Sequence, residues 1–285
     1  MSGGTGDGVG PGSAVGRRPG RATPVEGSPL RGRALVTGGT SGIGLSFGHA
    51  LAARGCDLVL VARDADRLET TAERLRWRYG VEVETLPADL ARREDVDAVA
   101  ARLGDTAAPV EILVNNAGKG VHVRLTDVDT SEHEQALDLM VRAVLVLGAA
   151  AGRAMRARGH GVIINVSSVA GLIPMGMYSA IKSFVRTYSE SLALELAGSG
   201  VRVTTLMPGW VRTEFHERAG IRASSIPNPL WLEADDVVAA CLADVERGRQ
   251  RSVPSRRFRT LAFLAEHGPR PAVRRVTALL NRSRR

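Results

Sequence analysis

The feature that most constrains this chain is a regular alternation of short, β-branched apolar runs with longer helical stretches, beginning at Arg33. The apolar runs are Ala34–Thr37, Leu58–Ala62, Val81–Leu86, Ile112–Asn115, Val162–Val166 and Val201–Met207. Between them lie the helical patterns Ile43–Arg54, Asp66–Tyr79, Val96–Leu103, Glu132–Arg158 and Tyr178–Ala197. Runs apolar on both faces and separated by helices predict a parallel sheet covered on both sides. The expected fold class is therefore α/β, a single Rossmann-type doubly wound parallel sheet with helices on both faces. No internal repeat and no second core is evident. Beyond Met207 the sequence predicts an irregular segment rich in Trp and Pro to Leu232, a helix over Ala234–Glu246 and a short strand near Ser252–Val253.

A length of 285 residues suits one large domain of this kind. A 44% hydrophobic share excludes a wholly disordered chain, and no apolar run of about 18 residues points to a spanning helix. Cys56 and Cys241 are too few to staple the chain, so a disulfide scaffold is excluded and a reducing, cytoplasmic compartment is expected. The six histidines show no metal-ligand spacing.

Charge is unevenly spread. Residues 247–285 hold twelve arginines, no lysine and one acid, Glu266, a balance of +11; the total of +8 leaves about −3 for residues 1–246. Three regions follow: a leader over 1–30, rich in Gly, Pro and Ser and expected to be disordered or to lie upstream of the natural start; a body over 31–255; and a basic extension over 256–285. The leader lacks the apolar segment of a secretory signal.

The first apolar run leads into Thr37-Gly38-Gly39-Thr40-Ser41-Gly42-Ile43-Gly44 and then a helix. Glycines let the backbone turn sharply and approach a ligand, and the helix N-terminus offers unpaired amides to a pyrophosphate. This predicts a dinucleotide site. The second run ends Ala62-Arg63, which removes the acid that would bind a ribose 2′-hydroxyl and supplies a guanidinium for a 2′-phosphate. NADP(H) is the expected cofactor, with NAD(H) the alternative; Asp64 is expected to cap the next helix.

Four motifs in order give the chain its resemblance to the short-chain dehydrogenase/reductase family over roughly residues 31–255. They are the glycine pattern of Thr37–Gly44, Asn115-Asn116-Ala117-Gly118, Tyr178-Ser179-Ala180-Ile181-Lys182 and Pro208-Gly209. The resemblance implies interconversion of a ketone or aldehyde with an alcohol, in an NADP(H)-preferring branch. Tyr178, Lys182 and Ser168 would be catalytic. Gly38, Ser41, Gly42, Ile43, Gly44, Arg63, Asp89, Leu90, Asn116, Ala117, Gly118, Tyr178, Lys182, Val211 and Thr213 would bind cofactor. Asn115 would tie neighbouring strands together, and Ser167 would satisfy backbone at the strand end. A homodimer or homotetramer through the helices at 132–158 and 178–197 is implied too.

The residues alone support the Tyr178–Lys182 pairing. Four residues apart on a helix, they share a face. A nearby ammonium lowers the pKa of a phenol that otherwise titrates near 10. Tyr178 could then exchange a proton with a carbonyl oxygen. Only two lysines occur beside 36 arginines.

The chain departs from the family pattern at Met140, which stands where an asparagine usually anchors a water leading to the lysine. A thioether cannot donate a hydrogen bond. Either a relay finds another path, or turnover is slow, or the chain is a nucleotide-binding sensor of the same fold. The interval from Ser168 to Tyr178, ten residues, is also short.

Trp210–Leu232 reads as a variable lid. With Trp210, Phe215, Ile221, Ile226, Pro227, Pro229, Leu230 and Trp231, and with Ile173, Met175 and Met177 of the short loop, it suggests an apolar substrate. Several of these side chains could instead pack beneath the lid. His216, Glu217 and Arg218 read as loop surface or as contacts to a polar substituent. The extension, with Leu261-Ala262-Phe263-Leu264 and Val276–Leu280 among its arginines, reads as a solvated tail, as a basic helix on an anionic membrane or nucleic acid, or as a dock for an acidic carrier protein.

Overall fold

The computed structural model describes residues 27–121, 123–213, 228–269, 271 and 275. Seven strands form one parallel sheet: β1 (Arg33–Thr37), β2 (Asp57–Ala62), β3 (Val83–Pro87), β4 (Ile112–Asn115), β5 (Gly161–Val166), β6 (Val201–Leu206) and β9 (Arg251–Ser252), in spatial order β3-β2-β1-β4-β5-β6-β9. A separate parallel pair joins β7 (Trp210–Arg212) to β8 (Trp231–Glu233), with Trp210 opposite Trp231. The chain order reverses at β1, where the next strand is laid on the other side, and this opens a crevice at the carboxyl ends of β1 and β4.

Alternation within each strand builds two cores. Ala34, Val36, Leu58, Leu60, Ile112, Val114, Val162 and Ile164 point to one face; Leu35, Val59, Val61, Leu113 and Ile163 point to the other. On the first face lie α1 (Gly42–Ala52), α2 (Ala65–Tyr79) and α7 (Ala234–Glu246), with Phe47, Leu51, Leu68, Leu75 and Leu242 fully buried. On the second lie α3 (Arg93–Gly104), α5 (Ala143–Arg158) and α6 (Met177–Glu195), contributing Val96, Val99, Leu147, Met155 and Leu192. This is the doubly wound Rossmann-type sheet expected from the alternation. The Asp64 carboxylate accepts from the Arg67 amide at 3.0 Å, and Gly80, at φ +66°, ends α2, so that helix is capped at both ends.

Three features differ from the sequence reading. The stretch over 132–158 is α4 (Ser131–Leu137), one π-helical turn (Asp138–Arg142) and α5, a continuous run of 28 residues. It is long and apolar enough to cross a membrane, although no unbroken apolar run announces it; half of its most apolar window is buried in the fold. The segment after Met207, expected to be irregular, contains β7 and β8. Within the basic extension, α8 (Arg256–His267) packs onto the body, with Phe258 and Ala262 buried. The leader before residue 27 and the run Val276–Leu280 lie outside the described residues.

Candidate functional site

The glycine turn is held from two sides. The Thr37 hydroxyl donates to the Val114 carbonyl at 3.2 Å and accepts from the amides of Asn116 and Ala117 at 2.9 and 3.0 Å. The Asn116 carboxamide donates to the Thr37 carbonyl at 2.9 Å, so its amide nitrogen serves the turn itself. Gly38 and Gly42 have φ of +66° and +51°, conformations that disfavour any side chain. A methyl on Gly44 would collide with the Gly38 carbonyl and Asn116, which explains how closely α1 can start against the turn. The backbone cradle is thus shaped by what is missing, and residues around it fit a dinucleotide pyrophosphate. Ser41 caps α1 through backbone geometry alone, and no acid occupies the first helical turn. Ile43 is half-buried against the first core.

The flanks of the cradle also converge. Thr213 Cγ2 lies 3.0 Å from where a Gly42 side chain would begin, so the segment after β7 reaches the glycine turn; Val211 beside it is buried. Arg63 is exposed just past the end of β2 and makes no ion pair or hydrogen bond among the described residues. Asp89 uses its carboxylate on the Ala91 amide at 3.1 Å, and Leu90 is buried in the second core. Arg142 of the π-turn donates to the Ala91 carbonyl at 2.7 Å and pairs with Asp138 at 2.7 Å. Arg142 therefore ties the loop carrying Asp89 to the helix carrying Met140. The sequence offered no signal for it, because the π-turn that aims it has no distinctive composition.

Behind the mouth, Asn115 donates to Asn165 at 2.9 Å, which donates to Ser189 at 2.9 Å. This buried chain ties β4, β5 and α6 together. Lys182, on α6, donates from Nζ to the Val166 carbonyl at 2.9 Å, and its own carbonyl accepts from the Ser167 hydroxyl at 2.6 Å. Ser167 thus serves the backbone. The Lys182 ammonium lies 5.6 Å from the centre of the Tyr178 ring. Burial lowers its pKa to about 8.

The Ser168 hydroxyl accepts from the Ala170 amide at 3.1 Å and lies 3.4 Å from the Pro208 carbonyl, so it is nearly buried and turned toward backbone. The short loop after it forms a 3₁₀ turn (Val169–Leu172). Gly171 presses that turn directly onto α6: a methyl there would stand 2.8 Å from the Lys182 carbonyl carbon and the Ser183 amide. Met140, 1% exposed, packs with Ala136 and Ile181, with Tyr178 and Met177 against the same cluster. Its sulfur lies 3.1 Å from where a Gly118 side chain would begin.

The lid is only partly described. Phe215, Ile221, Ile226, Pro227, His216, Glu217 and Arg218 lie outside the described residues, as does the side chain of Pro229. Of the remainder, Trp210 meets Phe258 edge-on at 5.9 Å, and the Arg212 guanidinium sits 5.4 Å over Trp231. Ile173, Met175, Met177 and Leu230 are half-buried. Among the described residues no group of His, Cys, Asp or Glu could hold a metal ion.

Comparison with known proteins agrees with this geometry. The sequence pattern of the family described as short chain dehydrogenase matches residues 33–222. A galactitol 2-dehydrogenase (L-tagatose-forming) from Cereibacter sphaeroides is 39% identical over 187 residues, 64% of this chain and 72% of that protein. Glycine betaine reductase ATRR from Emericella nidulans is 36% identical over 197 residues, 68% of this chain, which spans only 15% of that much longer protein. The solved structure of a short-chain dehydrogenase from Sphingobium yanoikuyae in complex with NADPH superposes with a TM-score of 0.75 at 38% identity, covering 80% of this chain and 91% of that one. With the glycine turn, the buried Lys182 beside Tyr178 and the seven-stranded sheet, these matches establish that the chain belongs to the short chain dehydrogenase family of NAD(P)-dependent oxidoreductases.

Proposed function

We propose that this chain is an NADP(H)-dependent oxidoreductase that interconverts a ketone or aldehyde with an alcohol, with Tyr178 as the acid/base. The observation that carries the reading is the buried Lys182 ammonium, fixed on the Val166 carbonyl 5.6 Å from the Tyr178 ring. A cation there favours the phenolate over the phenol, so Tyr178 can give a proton to a substrate oxygen or take one from it. When bound, NADP(H) supplies or accepts the hydride. Ser168 then orients the substrate oxygen, exchanging its 3.4 Å contact with Pro208 for one to substrate.

The cofactor preference rests on Arg63, on the missing acid at Ala62 and on the NADPH held by the related structure. Gly38, Ser41, Gly42, Ile43 and Gly44 would cradle the pyrophosphate, and Asp89 and Leu90 would flank the adenine. Asn116, Ala117 and Gly118 would line the ribose side, with Val211 and Thr213 on the nicotinamide side. NAD(H) remains the competing cofactor. The cofactor-binding domain, expected over residues 31–255, would then extend through α8 to His267, because Phe258 and Ala262 are buried against it.

An apolar substrate fits Ile173, Met175 and Met177, although Trp210 and Trp231 already spend ring faces on Phe258 and Arg212. A homodimer or homotetramer through α5 and α6 would cover Leu145 and Leu194, 46% and 74% exposed. A cytoplasmic setting suits Cys56 and Cys241, both buried and neither in a disulfide.

Tyr178→Phe is the test. Turnover of NADPH with a panel of ketones and aldehydes should fall by about two orders of magnitude or more, while NADPH affinity stays within about twofold. Wild-type rates in the variant would end the assignment. One observation favours a second reading: Met140 fills the neighbourhood of Tyr178 with a thioether, which suits a nucleotide-binding sensor with little turnover.

A further inference from the structure

The turn that follows β3 stands at the edge of the crevice. The Ala88 amide donates to the Ala62 carbonyl at 2.9 Å, which sets the start of the turn beside the end of β2 and Arg63. Three bonds within the turn then shape Asp89-Leu90-Ala91. The Asp89 carboxylate accepts from the Ala91 amide at 3.1 Å, the Asp95 carboxylate accepts from the Asp89 amide at 2.7 Å, and the Arg92 amide donates to the Asp89 carbonyl at 2.8 Å. These partners are neighbours in sequence, so they give the turn a shape without tying it to the helices over the sheet. Leu90 seats the turn on the second core, an attraction that has no direction.

Arg142 supplies the direction. Its guanidinium donates to the Ala91 carbonyl at 2.7 Å, a bond between residues 51 apart in the chain. It comes from the π-helical turn Asp138–Arg142, two residues beyond Met140, with a second nitrogen 2.7 Å from the Asp138 carboxylate.

Stability alone is a poor account of this arginine. A π-helical turn is a rare helical geometry that occurs mostly at functional sites. The Arg142 Nε is buried and has no hydrogen-bond partner among the described residues, which costs free energy. The Asp138 pair repays little of that, because its side chains are 33% and 37% exposed and water screens them. What the guanidinium does secure is the place of one backbone turn.

We propose that Arg142 is a positioning residue for the adenine end of the dinucleotide. By holding the Ala91 carbonyl it sets Asp89 and Leu90 against the adenine, and it does so without touching the cofactor. This rests on the reading of the crevice as a cofactor site with Asp89 and Leu90 at the adenine; it is independent of the chemistry at Tyr178, and its test uses no turnover.

The full chain is titrated with NADPH and with two fragments, adenosine 2′,5′-bisphosphate for the adenine end and reduced nicotinamide mononucleotide for the other. Arg142→Met keeps an apolar stem and removes every donor. It should weaken NADPH and adenosine 2′,5′-bisphosphate by the same factor, about tenfold or more, while the mononucleotide changes by less than about twofold. Arg142→Lys, which keeps one donor at the end of the stem, should bind the bisphosphate more tightly than Arg142→Met does. Asp138→Asn, a milder change that only frees the guanidinium, should weaken the bisphosphate alone by about threefold. A structural role would lower the melting temperature and leave the two fragments equally affected. Unchanged bisphosphate affinity in Arg142→Met, or equal losses for the two fragments, would overturn the proposal. If the wild type binds neither NADPH nor the bisphosphate, the cofactor reading fails and takes the role of Arg142 with it; if the wild type binds both and the variants match it, only the role of Arg142 fails.

Discussion

Lys182 and Ser167 hold each other in place: the Ser167 hydroxyl donates to the Lys182 carbonyl at 2.6 Å, and the Lys182 ammonium reaches back to the carbonyl of Val166, the residue before Ser167. The end of β5 and the first turns of α6 are therefore locked at both ends of one lysine. A flexible four-carbon stem becomes a fixed charge beside Tyr178. Its pH behaviour follows from the same burial.

Burial lowers the Lys182 pKa to about 8 from 10.5. Between those values the unfolded chain binds the proton that the folded chain has released, so stability contributed at this site rises with pH across that window. Below about pH 8 the folded state carries the full desolvation cost, about 3 kcal/mol from the width of the window. Relative to Lys182→Met, the wild type should therefore gain stability by roughly that amount as pH rises from about 8 to 10.5. Urea denaturation of both proteins across this range checks it. A constant difference would show that the ammonium is well solvated.

Gly171→Ala should damage the site from outside it. The new methyl would meet backbone of Lys182 and Ser183 at 2.8 Å, and neither atom can rotate away. We expect about 1–3 kcal/mol of destabilisation from overpacking. The turn after Ser168 would lift from α6, so kcat should fall more than the cofactor's KM changes. Thermal melts and steady-state kinetics measure the two effects.

Arg63→Ala should shift cofactor choice. If the exposed guanidinium pairs with a 2′-phosphate, losing a charge-assisted contact costs about 1.5–3 kcal/mol, or roughly 10- to 100-fold in NADPH affinity. NADH affinity should stay nearly level. Fluorescence titration with both cofactors decides, and equal losses for both would remove Arg63 from the phosphate site.

Met140→Asn separates the two functional readings. Placing a carboxamide among Ala136, Ile181 and Tyr178 should cost about 1–3 kcal/mol unless it finds a partner. A rise in turnover of about tenfold or more would identify a catalyst slowed by the thioether. Continued inactivity across a broad carbonyl panel would favour the sensor. Melting temperature and NADPH oxidation are measured on the same preparation.

Much of this protein is written in local pattern. Alternating apolar runs and helical stretches determine a doubly covered parallel sheet, because a strand buried on both faces must be apolar at every position while helices need be so on one stripe. Thr37–Gly44, Asn115–Gly118 and Tyr178–Lys182 declare the glycine turn and the tyrosine–lysine pair for the same reason: backbone geometry and i,i+4 spacing are local. Asp64 as a cap and Asn115 as a strand tie were also legible.

What pattern could not decide depends on residues far apart in sequence. Whether Lys182 is dry, whether Met140 and Tyr178 share one cluster, and whether Arg142 reaches Ala91 depend on how helices from separate units meet over the sheet. The basic tail shows the same division. Its composition announced charge, but only the fit of Phe258 onto Gly209, nearly fifty residues earlier, decided that its first helix belongs to the body and which of its side chains face outward. Charge and periodicity are properties of a segment, whereas burial belongs to the surface that a segment happens to meet.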